Sequence, residues 1–570
     1  MGITISSQRS RNAVHRLTAG TAMLVLLALA GPALAQQSLP SAAEPRRPDL
    51  APTLPPAAPS QGGIEIAPAP GSAPIAGAAT MPLTLNRVVI EGAGVFGPGA
   101  FDDLTRGITG RPITLADLFT AADAITARYR EAGWVLTRAV VPAQRISDGT
   151  ATIRIVEGFI ARTVVEGDAG PHKDRIQAYL DRLTAAKQPV NIHDLERQLL
   201  LANDLPGVRA RAVLSPAPGQ TGGSVLTVKL EHDPVQAYAS IDNRGSEYTG
   251  PWRLLAGAVF NGASDGGRFL ISGVTALSDT DEQQGLTLGF DQLVGSDGTL
   301  LGIRAGVQRG NPGYTLAPLD VSTRANSLSL RAAHPLLRSR AETLVLDGEF
   351  SAYETRTNFF GQRFAADTVR TLSVGADFRS IDRLGGSNHL ALRVVRGLDV
   401  FNATSDTAPN KSRAAGSAEF TRMALDAERV QVISGPFTAR IALSAQIADK
   451  ALLASEEFKL GGATFGRGFD DGELSGDEGV AGSLELRYAV PLRAGPTLQL
   501  YGFYDHGKVW NDDPVTLLDG VELASVGGGL RANLTDNLSA DLQVAKPLRR
   551  DVATKGDRAA RFFAAFTARF

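Results

Sequence analysis

The feature that most constrains this chain is a strand-like alternation that fills its C-terminal part, where helix signals are largely missing. From about residue 234 to residue 570, short alternating segments are separated by turn clusters rich in Gly, Ser and Asp. Residues 299–308 and 483–490 are clear examples. Their apolar faces consist of Leu301, Ile303, Ala305 and Val307 in the first and Leu484, Leu486, Tyr488 and Val490 in the second. Such two-faced segments are typical of transmembrane strands, although a soluble sandwich alternates as well.

The number of these segments favours a barrel. At roughly twenty residues per strand and turn, about 335 residues allow about sixteen strands, whereas an open sheet rarely exceeds about ten. The polar faces carry Gly and mixed charges, as a wet lumen would. After residue 35 no run of eighteen apolar residues suggests a transmembrane helix. We therefore predict a transmembrane antiparallel β-barrel over residues 234–570.

The N-terminus indicates export. Three arginines precede an apolar run at residues 22–30, and an A-x-A site ends at Ala35. This order is typical of a cleaved signal peptide, and its apolar part is too short to remain as a membrane anchor. Residues 1–35 are therefore predicted to be a signal peptide. Residues 36–81 are rich in Pro, Ala and Ser and are predicted to form an extended linker.

Two small α/β units are predicted between the linker and the barrel, at residues 82–158 and 159–233. Each has an expected helix cap, at Thr114 and Asn191, and the two caps lie 77 residues apart (191 − 114). The predicted elements of the first unit are a strand at 87–91, a helix from Leu115 to Tyr129 ended by Gly133, and strands at 135–146 and 151–156. The second unit has helices around Ile176–Leu183 and Leu195–Leu199 and strands at 210–214 and 225–230.

Several function classes find little support in the residues. The chain has no cysteine, so it has neither disulfides nor thiolate metal sites, and its net charge of −2 gives no bulk attraction to nucleic acid. The seven histidines show no H-E-x-x-H spacing. Residues 262–266 satisfy G-x-S-x-G, but they lie between two barrel-type strands and are interpreted as a hairpin turn. We expect no enzyme activity, no cofactor and no metal.

Four stretches resemble one family. They are residues 129–158, with Arg130-Glu131-Ala132-Gly133-Trp134 and Val156-Glu157-Gly158; residues 195–208, with Asn203-Asp204-Leu205-Pro206-Gly207; residues 466–469, Gly-Arg-Gly-Phe; and residues 501–509, Tyr-Gly-Phe-Tyr-Asp-His-Gly-Lys-Val. Together they resemble the TpsB transporters of two-partner secretion, of the haemolysin secretion/activation type. The resemblance covers nearly all of the chain from about Leu83.

The resemblance implies that residues 82–158 and 159–233 are POTRA domains in the periplasm, ahead of an outer-membrane barrel. It implies an exporter that recognises an unfolded exoprotein and passes it through the barrel. The implied partners are a secreted TpsA-type exoprotein (haemolysin or adhesin), outer-membrane lipid, and the barrel-assembly machinery during biogenesis. A Bam- or Tam-type assembly factor shares this plan and remains the alternative, while a passive porin would not need POTRA domains.

The resemblance also implies a long loop whose arginine enters the lumen and meets an aspartate. Here these residues are Arg467 and Asp505, and Asp505 falls on the polar face of its strand. A guanidinium can bond both oxygens of a partly desolvated carboxylate, so we expect the two to pair and pin the loop. The other motif residues are Gly466, Gly468 and Phe469 in the loop and Phe503 and Gly507 in the strand.

Two further sites are expected. An exposed strand edge in the first POTRA domain could capture cargo by β-augmentation, and its candidate residues are Val135, Thr137, Ala139 and Val141. The final strand ends on Phe566 and Phe570, which resembles the insertion signal of outer-membrane barrels. The family often has an N-terminal plug helix, but the prolines of residues 36–81 disfavour a helix there.

Overall fold

Two small α/β domains precede a closed β-barrel in the computed structural model. It describes residues 39–44, 64–66, 77–146, 148–184, 189–492, 495–513 and 520–570, so the predicted signal peptide lies outside the described residues. Among the helices within these ranges, none is long and apolar enough to cross a membrane.

The first domain packs one long helix on a three-stranded sheet of order β3-β6-β5. The predicted cap is confirmed, because the N–H of Thr114 donates to Asp117 Oδ2 at 2.7 Å. Gly133 follows the helix at φ +89°, which also agrees with the prediction. The elements up to its end are β1 (Ile64–Ile66), β2 (Pro82–Thr84), β3 (Arg87–Glu91), α1 (Asp102–Arg106), β4 (Pro112–Thr114), α2 (Leu115–Glu131), β5 (Arg138–Val140) and β6 (Thr150–Val156).

The predicted strand at 135–146 is wrong in length, because only Arg138–Val140 are paired. Before them, the N–H of Thr137 bonds the carbonyl oxygen of Trp134 at 3.1 Å, which makes a turn of residues 134–137. After them, Pro142 has no N–H to continue a ladder. The alternation of apolar residues was correct, but local turn geometry overrode it at both ends.

The second domain repeats the plan with a four-stranded sheet of order β1-β8-β9-β7. The predicted helix residues Ile176, Leu180 and Leu195 are fully buried, and Asn191 caps its helix by accepting from the His193 N–H at 3.0 Å. The outer edge of β8 is occupied by β1, which pairs with it in parallel. The elements are β7 (Phe159–Gly167), α3 (Lys173–Thr184), α4 (Ile192–Asn203), β8 (Val208–Pro216) and β9 (Gly223–His232).

Sixteen antiparallel strands close the barrel, as predicted. The predicted apolar faces point outward, where Leu301, Ile303 and Leu484 are exposed as a lipid-facing surface requires. The strands are β10 (Val235–Asp242), β11 (Arg253–Ser264), β12 (Gly267–Ala276), β13 (Gln284–Val294), β14 (Thr299–Gly310), β15 (Ser322–Arg338), β16 (Glu342–Phe359), β17 (Gln362–Ile381), β18 (Gly386–Gly397), β19 (Thr421–Ser434), β20 (Phe437–Ala448), β23 (Glu478–Val490), β24 (Thr497–Trp510), β25 (Val521–Asn533), β26 (Leu538–Pro547) and β27 (Arg561–Arg569).

The barrel wall is uneven in height. β16 and β17 have 18 and 20 residues, whereas β10 and β27, on the opposite side, have 8 and 9. Outward positions of β17 become polar beyond Leu372, and Arg370 donates to Glu354 of β16 at 2.8 Å. Because β10 begins directly after the second α/β domain, this extension projects on the side away from both domains.

The longest connection between barrel strands, residues 449–477 between β20 and β23, contains a small hairpin. Its strands are β21 (Phe458–Leu460) and β22 (Leu474–Gly476), and the Gly-Arg-Gly-Phe motif lies between them. Phe469 is buried with Leu460 and Leu523 of the barrel wall. We call residues 449–477 the arginine loop.

Candidate functional site

Arg467 and Asp505 meet inside the barrel. The backbone N–H and the Nε–H of Arg467 both donate to Asp505 Oδ2 at 3.0 Å, and Nη2 donates to Oδ1 at 2.9 Å. Asp505 is fully buried and Arg467 is nearly so. The structure therefore brings the predicted pair together in a bidentate geometry, which holds the loop tip against β24.

Two further partners of Arg467 were not predicted. Its Nη1 bonds Glu485, and its Nη2 donates to Ser483 Oγ at 3.0 Å. Both lie on β23, and the register places Ser483 directly beside Asp505. Glu485 in turn bonds Arg487 and Arg531, so its charge is shared among three guanidinium groups. The lumen-facing parity of Ser483 and Glu485 was visible in the sequence, but their position beside Asp505 required the strand register.

The motif residues fit the loop tip to the wall. Gly466 has φ +78°, which a side chain would strain, and a Cβ at Gly468 would lie 3.1 Å from the backbone nitrogen of Pro547. The guanidinium of Arg467 lies 3.5 Å from the ring centroid of Phe503, a cation–π contact. A Cβ at Gly507 would come within 2.8 Å of a methyl carbon of Leu460. Small residues thus allow the close approach that a buried ion pair needs.

A short N-terminal segment also lies within the barrel. Residues 41–43 form a 3-10 turn, not a long helix, and Ala43 packs with Tyr248 of an outer loop. The Ser246 hydroxyl donates to the carbonyl oxygen of Ala42 at 2.9 Å, and Lys459 of the arginine loop pairs with Glu44 at 3.1 Å. The outer end of the lumen is therefore partly filled by the chain's own N-terminal residues.

The candidate cargo edge in the first domain is less open than expected. β5 is an edge strand, but Thr137 and Ala139 are buried and Val135 lies in the preceding turn. The N–H of Ala139 points away from β6 and donates to the Thr126 hydroxyl of α2 at 2.9 Å. The edge-side N–H groups of Thr137 and Ala139 therefore already have partners, and Val141 follows the strand.

The second domain docks on three turns at the inner end of the barrel. Arg175 donates to both carboxylate oxygens of Asp265 at 2.9 and 3.1 Å, and Arg338 does the same to Asp204 at 2.7 and 2.9 Å. Arg182 pairs with Asp297 of a third turn at 3.0 Å. The docked domain thus has a fixed orientation at the barrel mouth. The turn that satisfies G-x-S-x-G is one of these contacts, joining β11 to β12 as a hairpin.

His172 lies buried at this junction, where its Nδ1 accepts the N–H of Gly266 at 3.0 Å. Burial lowers the pKa of His172 below its ordinary value of 6.5, and this outweighs the opposing attraction of Asp265. The charged groups facing it are Asp265 and Arg175, and the ring of His232 lies 5.8 Å away. An acceptor nitrogen must be unprotonated, so the docked state holds neutral His172.

We expect docking of the second domain to weaken as pH falls below 6.5. An undocked His172 would bind a proton near 6.5 and a docked one only at lower pH, so docking is unaffected above that value and loses free energy below it. Because the chain has no cysteine, spin labels can be placed at Arg209→Cys and Leu384→Cys, which are exposed residues on the domain and on an inner turn. The measured distance distribution should broaden between pH 7 and 5.

His172→Asn is the matched control, because its side-chain oxygen can accept from Gly266 without titrating. This variant should keep a narrow distribution at both pH values. A distribution that broadens equally in the variant would assign the effect to another group.

Comparison with known proteins agrees with this architecture. The family model described as haemolysin secretion/activation protein ShlB/FhaC/HecB matches residues 222–532, and the ShlB-type POTRA domain model matches residues 83–158. The heme/hemopexin transporter protein HuxB of Haemophilus influenzae (strain 86-028NP) is 24% identical over 461 residues, covering 79% of this chain and 80% of HuxB. The outer membrane transporter CdiB of Dickeya dadantii (strain 3937) is 23% identical over 472 residues, covering 78% and 79%.

Solved structures show the same fold. CdiB from Escherichia coli superposes with a TM-score of 0.69 at 20% identity, covering 86% of this chain and 91% of that one. BamA from Haemophilus ducreyi lacking POTRA domains 1–3 gives 0.51 at 13% identity, covering 86% and 100%. The barrel and its preceding domains thus define a POTRA-barrel protein of the bacterial outer membrane, with the POTRA domains in the periplasm.

Since the family model covers more than half of its length, the chain belongs to the haemolysin secretion/activation family, the TpsB transporters of two-partner secretion. It is an outer-membrane transporter that acts with a secreted TpsA-type exoprotein.

Proposed function

We propose that an unfolded exoprotein docks on the first POTRA domain, threads through the barrel as the arginine loop and N-terminal segment leave its path, and folds outside. The observation that carries this is a closed barrel whose lumen is occupied only by the chain's own residues among those described, held by discrete ion pairs. A lumen filled in this way must rearrange before a polypeptide can pass. Folding outside would supply the drive, since no covalent chemistry is required.

The docking step is proposed for the β5 edge and the groove beside α2. Cargo would pair from Val141 inward, taking over the Ala139 N–H from the Thr126 hydroxyl. The exchange swaps one hydrogen bond for another, so it is compatible with reversible binding of an extended chain. The names of HuxB and CdiB favour a heme-binding protein or a contact-dependent toxin as cargo, beside the haemolysin and adhesin classes.

The docking proposal is tested with Ala139→Pro. Proline removes the outward N–H and its ring blocks an added strand, while pairing to β6 through Arg138 and Val140 is kept. We expect extracellular exoprotein to fall about tenfold, because each lost backbone pair weakens a short edge contact. The measurement compares exoprotein in the medium with folded barrel in the outer membrane.

Thr126→Val is the matched control, since it removes the internal partner of the same N–H and leaves the edge free. Secretion should be kept or raised in this variant. Equal secretion by wild type and Ala139→Pro would place docking elsewhere. Normal secretion with a general loss of other outer-membrane proteins would instead favour an assembly factor, the weaker alternative that the BamA likeness raises.

A further inference from the structure

A second buried arginine holds the arginine loop at its root. Arg413 lies in the connection between β18 and β19 (residues 398–420), and its side chain is buried. Its Nη1 and Nη2 bond the two carboxylate oxygens of Asp477, the residue directly before β23. Glu457 of the arginine loop lies 3.1 Å from Nη1. This guanidinium therefore bridges a neighbouring outer loop to both ends of the arginine loop.

Asp477 gathers three outer connections around this one cation. It is fully buried and accepts the N–H groups of Leu452 at 2.6 Å and Asp512 at 2.9 Å. Arg413 also donates to the carbonyl oxygen of Leu452 at 2.7 Å and to Asn511 Oδ1 at 3.1 Å. The connections at 398–420, 449–477 and 511–520 thus share one polar centre, in which every contact depends on the guanidinium or on Asp477.

The neighbouring residue braces the same connection. The Ser412 N–H donates to Asp367 of β17 at 3.0 Å, and its hydroxyl accepts the Ala454 N–H of the arginine loop at 3.1 Å. Arg413 is therefore presented to Asp477 from a fixed position on the barrel wall. The arginine loop is held at its tip by Arg467 and at its root by Arg413, and the two centres share no residue.

We infer that Arg413 is a positioning residue that keeps the outer mouth closed by fixing the root of the arginine loop. Glu457 also connects this centre to Lys459, two residues along, which pairs with Glu44 of the N-terminal segment. Release of the root would free both the loop and the segment that fills the outer lumen. The inference adds a residue to the transport cycle proposed above and rests on that function only for its purpose.

The test measures ion conductance of the purified full-length protein in planar lipid bilayers, which needs no cargo. Arg413→Gln removes the charge but leaves Asp477 and Glu457 buried without their cation, so it could fail to fold. Arg413→Gln with Asp477→Asn removes both members of the bidentate pair and decides the question in that case. Heat-modifiable gel mobility confirms a folded barrel in each preparation.

We expect the open time of both variants to rise about tenfold over wild type, as loss of a buried anchor predicts. Arg396→Gln is the matched control, since this arginine ends β18 beside the same connection but is half exposed and lies 3.8 Å from Asp449. Wild-type conductance in the folded double variant would overturn the inference, as would an equal rise in Arg396→Gln. Neither result would bear on secretion itself, which the cargo assay measures separately.

Discussion

Arg467→Ala is expected to lower extracellular exoprotein about tenfold or more while the barrel remains in the outer membrane. The change leaves Asp505 and Glu485 buried without their shared cation, a loss of about 3–5 kcal/mol for a buried pair. The tip then loses its one seated arrangement, and a loop still attached at both ends stays in the cargo path. Exoprotein in the medium and folded barrel in the membrane are measured from the same cells.

Arg487→Ala is the matched control, because Arg487 faces the same lumen and bonds the same Glu485 but does not reach Asp505. It should retain most secretion. Arg467→Lys should behave nearly as Arg467→Ala, since an ammonium cannot make the bidentate contact or the stacked contact with Phe503. Full secretion by Arg467→Lys would show that charge alone suffices and that the geometry of the pair is dispensable.

Phe570→Ala is expected to reduce folded barrel in the outer membrane about tenfold while leaving the folded structure intact. The backbone of Phe570 exchanges two hydrogen bonds with Ala237, at 2.9 and 3.1 Å, beside the β10–β27 ladder that closes the barrel. Its ring makes no part of these bonds and is largely exposed. The aromatic ring is therefore free to be read by the barrel-assembly machinery, and alanine removes only that feature.

Two comparisons separate recognition from closure. Phe562→Ala alters an exposed ring on the same face at the other end of β27 and should leave barrel levels unchanged. Folding of urea-denatured protein into lipid vesicles, without any assembly machinery, should be similar for Phe570→Ala and wild type. Deletion of Phe570 should slow it, because unpaired backbone groups at a lipid-facing seam are costly. Slow vesicle folding of Phe570→Ala would assign the ring to closure.

The sequence predicted most of the fold because the apolar pattern follows the wall of the barrel. Parity alone places Asp505 in the lumen and Leu484 toward lipid, and the cap at Thr114 depends on residues three apart. The strand expected at 135–146 failed because a turn at residues 134–137 and a proline at 142 interrupt it. Alternation records which face is buried but not where pairing stops.

The site was predicted only where a motif marked it. Glu485 and Ser483 reach Arg467 through the β23–β24 register, and Arg413 reaches Asp477 across 64 residues of chain. Neither relation leaves a local pattern, because the partners belong to strands or loops joined only by closure of the barrel. The prolines of residues 36–81 argued correctly against a long helix at residues 41–43, but they gave no sign that the segment enters the lumen.

The uneven wall sets the direction in which a polypeptide leaves. A strand of 20 residues, tilted by about 40°, rises roughly 50 Å, about twice the apolar band of such barrels. The β16–β17 hairpin therefore stands above the membrane as a parapet, while the rim near the β10–β27 seam stays low. An emerging chain has a polar wall behind it and open water in front, so its first folded structure forms on the seam side and is kept off the lipid surface beyond the hairpin.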